Sequence, residues 1–275
     1  MSDTKFKIED MEMFVLDLDG TFYLGDNPIE GASEFVNFAR SKGKKVIFFT
    51  NNSSRSPEIY MKKISSMGVR CLREDIMTSG DVTIAYLKKN YPDASVYLVG
   101  TPALESSFAA ADIGLFRAES RKMGGKRPDI VTVGFDTTLT YDKLERACTY
   151  LREGALFIAT HPDINCPVPG GFIPDLGSFC ACISLSTGVS PKYLGKPYAE
   201  TADMVELVTG VPRDKTVYVG DRIYTDVAVG VQNGSNGILV LTGECSREDA
   251  DKSEVKPTAI YESLGKMKKI LEEKL

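Results

Sequence analysis

Apolar residues in this chain come in short runs that stop at polar clusters, and the stretches between the runs carry helical spacing. Residues 13–16 form the first run and 46–49 the second. Both are too apolar for half-exposed strands and read as strands covered on both faces. Between them Ala32, Phe35, Val36 and Ala39 recur at helical spacing over 31–42, and Gly43 ends that segment. Ser56-Pro57 reads as an N-cap with proline at the first helical position, opening a helix that runs to Met67 and stops at Gly68. Strand, helix, strand, helix is the pattern of a parallel sheet with crossovers. In such sheets ligands bind at the carboxyl ends of the strands.

The alternation repeats in the middle of the chain. Helices are predicted over 81–91, 102–112 and 141–153, and strands over 95–99, 130–133 and 156–159. A Pro- and Gly-rich loop is predicted over 161–177. This block is long enough to be an α/β domain of its own. After Gly188 the first pattern resumes, with a helix over 200–209 closed by Gly210, strands over 217–219 and 237–241, and a C-terminal helix over 261–274. The expected fold class is α/β. Arg121, Lys122, Lys126 and Arg127 surround Gly124-Gly125 as a basic patch, which reads as a solvated loop rather than an anion site.

Composition narrows the function classes. Of 275 residues, 43% are hydrophobic and 26% charged, ordinary values for a globular protein with a sizeable core. A formal net charge of -5 argues against a general nucleic-acid binder. No apolar run is long enough to span a bilayer, and residues 1–10 lack an apolar signal core, so a cytoplasmic location is expected. The six cysteines form no Cys-x-x-Cys and read as packed thiols in a reducing compartment. A single histidine, His161, excludes a His-rich zinc site. No Gly-x-Ser-x-Gly elbow, Walker-type loop or Gly-x-Gly-x-x-Gly turn occurs.

The polar clusters at the strand ends carry the chemistry. The first run ends in Asp17-Leu18-Asp19-Gly20-Thr21. Residues two apart project to the same side of an extended chain, so the two carboxylates converge past the strand end. Close carboxylates repel unless a cation or proton sits between them. That suits a metal-assisted nucleophile and acid, although two capping aspartates in a loop would explain this segment equally well. The second run ends in Thr50-Asn51-Asn52-Ser53, and the strand over 217–219 ends at Gly220-Asp221, with Asp226 five residues on, where a helix would start. Lys196 precedes a proline and is therefore non-helical. Carboxylates at one sheet edge, with hardly any histidine, suit a hard cation, and Mg2+ is the expected one. Thr50 and Asn51 offer donors for phosphate oxygens, and Lys196 a fixed positive charge. Taken singly, Thr50-Asn51-Asn52 reads as a turn, Lys196 as a surface lysine and Asp221 as a cap.

Taken together, these four segments resemble the haloacid dehalogenase-like superfamily of phosphohydrolases. Tyr23-Leu24-Gly25, Thr50-Asn51-Asn52-Ser53 and Leu241-Thr242-Gly243, with the long insert between the second and third motifs, are similar to the NagD-type, class IIA, p-nitrophenyl phosphatase-like group. The resemblance implies a Rossmann-like, doubly wound parallel core at 1–78 and 191–275, with an inserted α/β cap domain at 79–190. It implies Asp17 as nucleophile and Asp19 as general acid and base. It further implies magnesium held by Asp17, the Asp19 carbonyl and Asp221, with Asp226 supporting from behind. Thr50, Asn51 and Lys196 would hold the phosphoryl group. The partner implied is a small phosphorylated metabolite, with no nucleic acid or membrane. A homodimer through the cap is an assembly consistent with the resemblance. Asn52, His161 and Asp163 are the candidates for substrate contact, His161 standing where relatives often carry asparagine or aspartate. A structural, hydrogen-bonded role for His161 is the competing reading. The expected activity is magnesium-dependent hydrolysis of phosphomonoesters through an aspartyl-phosphate. The alternatives are a phosphotransferase or mutase sharing that intermediate, and a non-catalytic ligand sensor.

Overall fold

The first apolar run becomes β1 (Met13–Leu16), with all four residues buried. The computed structural model describes residues 6–117, 127–168 and 170–275. Arg121, Lys122 and Lys126 of the basic patch lie outside the described residues. Arg127 lies within them, and its guanidinium donates to the Glu153 carbonyl.

In chain order β1 is followed by the short hairpin strands β2 (Tyr23–Leu24) and β3 (Asn27–Pro28), then α1 (Ala32–Ser41), β4 (Lys45–Thr50), α2 (Pro57–Ser66) and β5 (Ile76–Thr78). Next come α3 (Ser79–Asn90), β6 (Val96–Val99), α4 (Pro102–Ala110), β7 (Ile130–Val133), α5 (Tyr141–Arg152) and β8 (Leu156–Ala159). A hairpin of β9 (Asn165–Val168) and β10 (Gly171–Pro174) leads to α6 (Leu176–Thr187) and β11 (Lys192–Tyr193). The chain closes with α7 (Ala199–Thr209), β12 (Thr216–Gly220), α8 (Ala228–Val231), β13 (Asn236–Val240), α9 (Arg247–Lys252), β14 (Ala259–Tyr261) and α10 (Leu264–Lys274).

The described chain packs as two compact units. One takes in the chain up to Thr50 together with Pro57–Met77 and Lys196–Leu275. Its sheet runs β14-β13-β12-β1-β4-β5, and β1 pairs in parallel with both β12 and β4. Alternation along these strands splits the core. Phe14, Leu16, Val46, Phe48, Val217, Val219, Ile238 and Val240 join one apolar cluster with Phe35 and Val36 of α1 and Leu264, Met267 and Leu271 of α10. Leu239 instead packs with Ile223, Val227 and Ala250. Helices therefore cover both faces, as a doubly wound sheet requires.

The second unit is Asn51–Ser56 with Thr78–Gly195. Its parallel sheet runs β11-β8-β7-β6, over a core of Val131, Val133, Phe157, Leu176 and Ile183 among others. The sequence drew the insert at 79–190. The structure extends this unit to 78–195, since β11 pairs with β8, and adds 51–56, whose polar groups bond within it. Thr101 Oγ1 donates to the Ser54 carbonyl at 2.9 Å, and the Ser53 and Thr160 hydroxyls meet at 3.0 Å.

Several elements depart from expectation. Helix α3 starts at Ser79, two residues early, because Thr78 caps it. Its hydroxyl accepts from Asp81 N, while its amide donates to Asp81 Oδ2 at 2.8 Å. The region expected as a loop over 161–177 contains the β9–β10 hairpin. Tyr261 ends a strand, and the last helix begins only at Leu264, after Ser263 caps it. Asp226 lies inside a π-turn, Ile223–Val227, and not at a helix start.

Candidate active site

The site is built at the carboxyl ends of adjacent parallel strands. Asp17 directly follows β1, and its amide still donates to the Val219 carbonyl of β12 at 2.9 Å. Asp221 directly follows β12, and Thr50 is the last residue of β4 on the other side of β1. Asp19 sits two residues beyond Asp17 and is exposed. Residues 18–23 form a tight turn in which the Phe22 and Tyr23 amides both donate to the Leu18 carbonyl, at 2.9 and 3.1 Å.

Carboxylate oxygens of Asp17, Asp221 and Asp226 lie within 4.8 Å of one another. Lys196, 3% exposed, reaches into this group. Its ammonium is 2.5 Å from Asp17 Oδ1 and 2.6 Å from Asp226 Oδ1, and it also donates to the Phe49 carbonyl at 3.2 Å. The other Asp226 oxygen accepts from the Arg222 amide at 3.1 Å. Asp221 Oδ2 accepts from the Glu244 amide at 2.7 Å, and Thr21 Oγ1 donates to Asp221 Oδ1 at 3.4 Å.

The electrostatics follow from burial and from crowding of like charge. Burial, with Asp226 and Asp221 adding to it, pushes the Asp17 carboxyl well above its ordinary value in spite of Lys196. Burial and then the Asp226 carboxylate raise Asp221 to about 6. Burial alone would lower Lys196, but the Asp17 and Asp226 carboxylates outweigh it and hold the ammonium charged.

This donor set fits a hard divalent cation. Three carboxylates face one ammonium, so the ionised cluster has an excess of negative charge that a cation would relieve. Space is kept beside Asp221 by two glycines. A Cβ on Gly20 would lie 2.5 Å from Asp221 Oδ2, and one on Gly243 would lie 2.0 Å from it. Gly20 also has φ +82°, a region that suits glycine.

The remaining sequence candidates gather within the second unit. Asn51 Nδ2 lies 3.2 and 3.3 Å from the two Asp163 oxygens, and Ser79 Oγ donates to the Asn51 carbonyl at 2.5 Å. His161 is fully buried. Its Nε2 lies 3.0 Å from Asp175 Oδ1, and its Nδ1 lies 3.0 Å from Thr160 Oγ1 and 3.3 Å from Ser79 Oγ. Both ring nitrogens are thus within hydrogen-bond distance of neighbouring side chains. Asn52 Oδ1 accepts from the Ser54 amide at 2.9 Å and forms a local turn. Sequence reasoning missed Asp175, a lone aspartate in a Pro- and Gly-rich stretch with no periodic context. It also gave Tyr23 no role, although Tyr23-Leu24-Gly25 had been noted as a motif.

Known proteins share this arrangement of segments. The family model described as haloacid dehalogenase-like hydrolase matches residues 14–114, and a second, described as HAD-hydrolase-like, matches 193–267. An acid sugar phosphatase of Staphylococcus aureus is 35% identical over 254 residues, covering 92% of this chain and 95% of its own. The chain belongs to the haloacid dehalogenase-like hydrolases. Solved members of that family agree in fold along almost the whole chain. A 4-nitrophenylphosphatase from Thermotoga maritima is 42% identical, with TM-score 0.88, 95% of this chain and 97% of that chain covered. NagD from Escherichia coli K-12 is 29% identical, with TM-score 0.84, 93% and 97% covered. This haloacid dehalogenase-like hydrolase is a NagD-type phosphatase with a Rossmann-like core and an inserted cap. Among its described residues no helix is long and apolar enough to cross a membrane.

Proposed function

We propose that the protein hydrolyses small phosphomonoesters, in a magnesium-dependent reaction that passes through an aspartyl-phosphate on Asp17. The observation that carries this reading is the Asp17, Asp221, Asp226 and Lys196 cluster, with oxygens within 4.8 Å and the ammonium 2.5 Å from Asp17. The names of the relatives favour sugar phosphates or aryl phosphates as the substrate class.

In the first step an Asp17 carboxylate oxygen bonds to phosphorus as the ester P–O bond breaks. The leaving oxygen takes a proton from the Asp19 carboxyl. In the second step water bonds to phosphorus and gives its proton to the Asp19 carboxylate. The P–O bond to Asp17 breaks, which returns the enzyme and releases inorganic phosphate. Thr50, the Asn51 amide and Lys196 hold the equatorial phosphoryl oxygens, where charge spreads in the transition state. Asp17, the Asp19 carbonyl and Asp221 would hold Mg2+, and Asp226 would orient this shell through Lys196 and the Arg222 amide. When bound, the ion neutralises phosphate charge so that one anion can approach another. The cap, taken as 79–190, selects substrate, with Asp163 and Asn52 nearer to that role than the enclosed His161.

The test is acid quenching during turnover of 32P-labelled substrate with magnesium supplied. Base-labile label on the wild-type protein, absent from Asp17→Asn, is the expected result. Turnover without any such label would refute the aspartyl-phosphate.

A further inference from the structure

We propose that Tyr23 is a positioning residue that sets the orientation of the Asp19 carboxyl group for proton transfer. The inference rests on the assignment of Asp19 as acid and base given under Proposed function.

Asp19 lies exposed in the turn beyond β1, and exposed carboxyl groups rotate freely unless something holds them. Tyr23 Oη donates to Asp19 Oδ2 at 3.4 Å. The bond is compatible with both states of the cycle, because Oδ2 can accept from the tyrosine hydroxyl whether the Asp19 carboxyl group is neutral or ionised, more strongly when it is ionised. A length of 3.4 Å is long for a resting hydrogen bond, as catalytic contacts commonly are before substrate arrives.

What makes Tyr23 fit for the task is that it cannot move. The ring is 1% exposed. The Lys63 ammonium lies 3.7 Å from its centroid, and Phe22, itself packed edge-on against Phe48 at 5.0 Å, meets it at 6.4 Å. The backbone is locked as well. Tyr23 N donates to the Leu18 carbonyl at 3.1 Å, and the Tyr23 carbonyl accepts from Gly20 N at 2.8 Å, so the turn carrying Asp19 closes on Tyr23 itself. The cation over the ring face adds to what holds the ring in place.

Tyr23→Phe removes one oxygen and keeps the packing. The readout is kcat/KM for phenyl phosphate divided by that for 4-nitrophenyl phosphate, with magnesium supplied. Nitrophenolate leaves as an anion, whereas the more basic phenolate needs the proton. Partial unfolding scales both values alike and cancels in the ratio. In Tyr23→Phe kcat/KM should fall roughly 5- to 10-fold for phenyl phosphate and less than about 2-fold for 4-nitrophenyl phosphate. Asp19→Asn, measured alongside, should show the same bias more strongly. If Asp19→Asn is biased and Tyr23→Phe is not, the positioning role is overturned and the acid assignment stands. If Asp19→Asn shows no bias, the acid assignment fails and takes the role of Tyr23 with it.

Discussion

Lys196 and Asp17 stand 179 positions apart in sequence, and their side chains meet at 2.5 Å. The same ammonium lies 2.6 Å from Asp226, so one cation bridges the buried Asp226 and the partly buried Asp17 carboxylates. In metal-free protein, Lys196→Met should destabilise the fold by about 3–5 kcal/mol, because both carboxylates lose their counter-charge. Urea unfolding in EDTA measures this. Adding Asp226→Asn should restore part of the loss, and a double variant as unstable as the single one would contradict the account.

Asp17→Asn keeps the shape of the side chain and removes the proposed nucleophile. Activity should drop by several orders of magnitude with the fold retained. Steady-state kinetics beside a circular dichroism spectrum decide the point, and near-normal turnover would rule out Asp17 as nucleophile.

Asp221 makes stability depend on pH and metal. Its folded-state value of about 6 lies above the ordinary 3.8. The folded chain then binds this proton more tightly than the unfolded chain, so stability falls as pH rises from about 4 to about 6 and the deficit persists above. The shift corresponds to about 2–3 kcal/mol. In EDTA, Asp221→Asn should be more stable than wild type at pH 7.5 and nearly equal to it at pH 4.5. Adding magnesium at pH 7.5 should raise the wild type and leave the variant unchanged. Urea titrations at the two pH values provide the comparison.

Chelation follows from the same charge excess. EDTA should abolish phosphate release from 4-nitrophenyl phosphate, and excess magnesium should restore it. Undiminished turnover in chelator would exclude a required metal.

Gly243→Ala tests the space beside Asp221. The new Cβ would fall 2.0 Å from Asp221 Oδ2, so the carboxylate must shift. Displacements of this size at a catalytic site cost about 100-fold in rate, so kcat should fall by roughly 10- to 100-fold. Unchanged kcat would mean that Asp221 does not need its present position.

The central elements were legible because each buried strand is a dense apolar run and each run ends in the polar groups that make the site. Asp17, Thr50 and Asp221 each stand at such a junction, but singly they also read as caps or a turn, and only their combination pointed to a site. The outer elements were not. Strands β5 and β14 have three residues each, too few to show a period. The β9–β10 hairpin is largely exposed and carries Pro167 and Pro174, so its composition resembles a loop. Helix α6 mixes Gly177, Ser178, Cys180 and Cys182 with its apolar residues, which blurs the helical stripe. Pairings such as His161 with Asp175 or Tyr23 with Asp19 depend on side-chain directions that spacing does not fix. Lys196 was legible as a cation, but its double engagement by Asp17 and Asp226 was not.

Strand β1 has a parallel neighbour along each edge, β12 and β4. Asp17 is thus suspended from a stretch of backbone that can open only when the sheet itself comes apart. Local opening belongs instead to short elements of the same unit such as the β2–β3 hairpin, so heat should loosen these before it disturbs the position of Asp17.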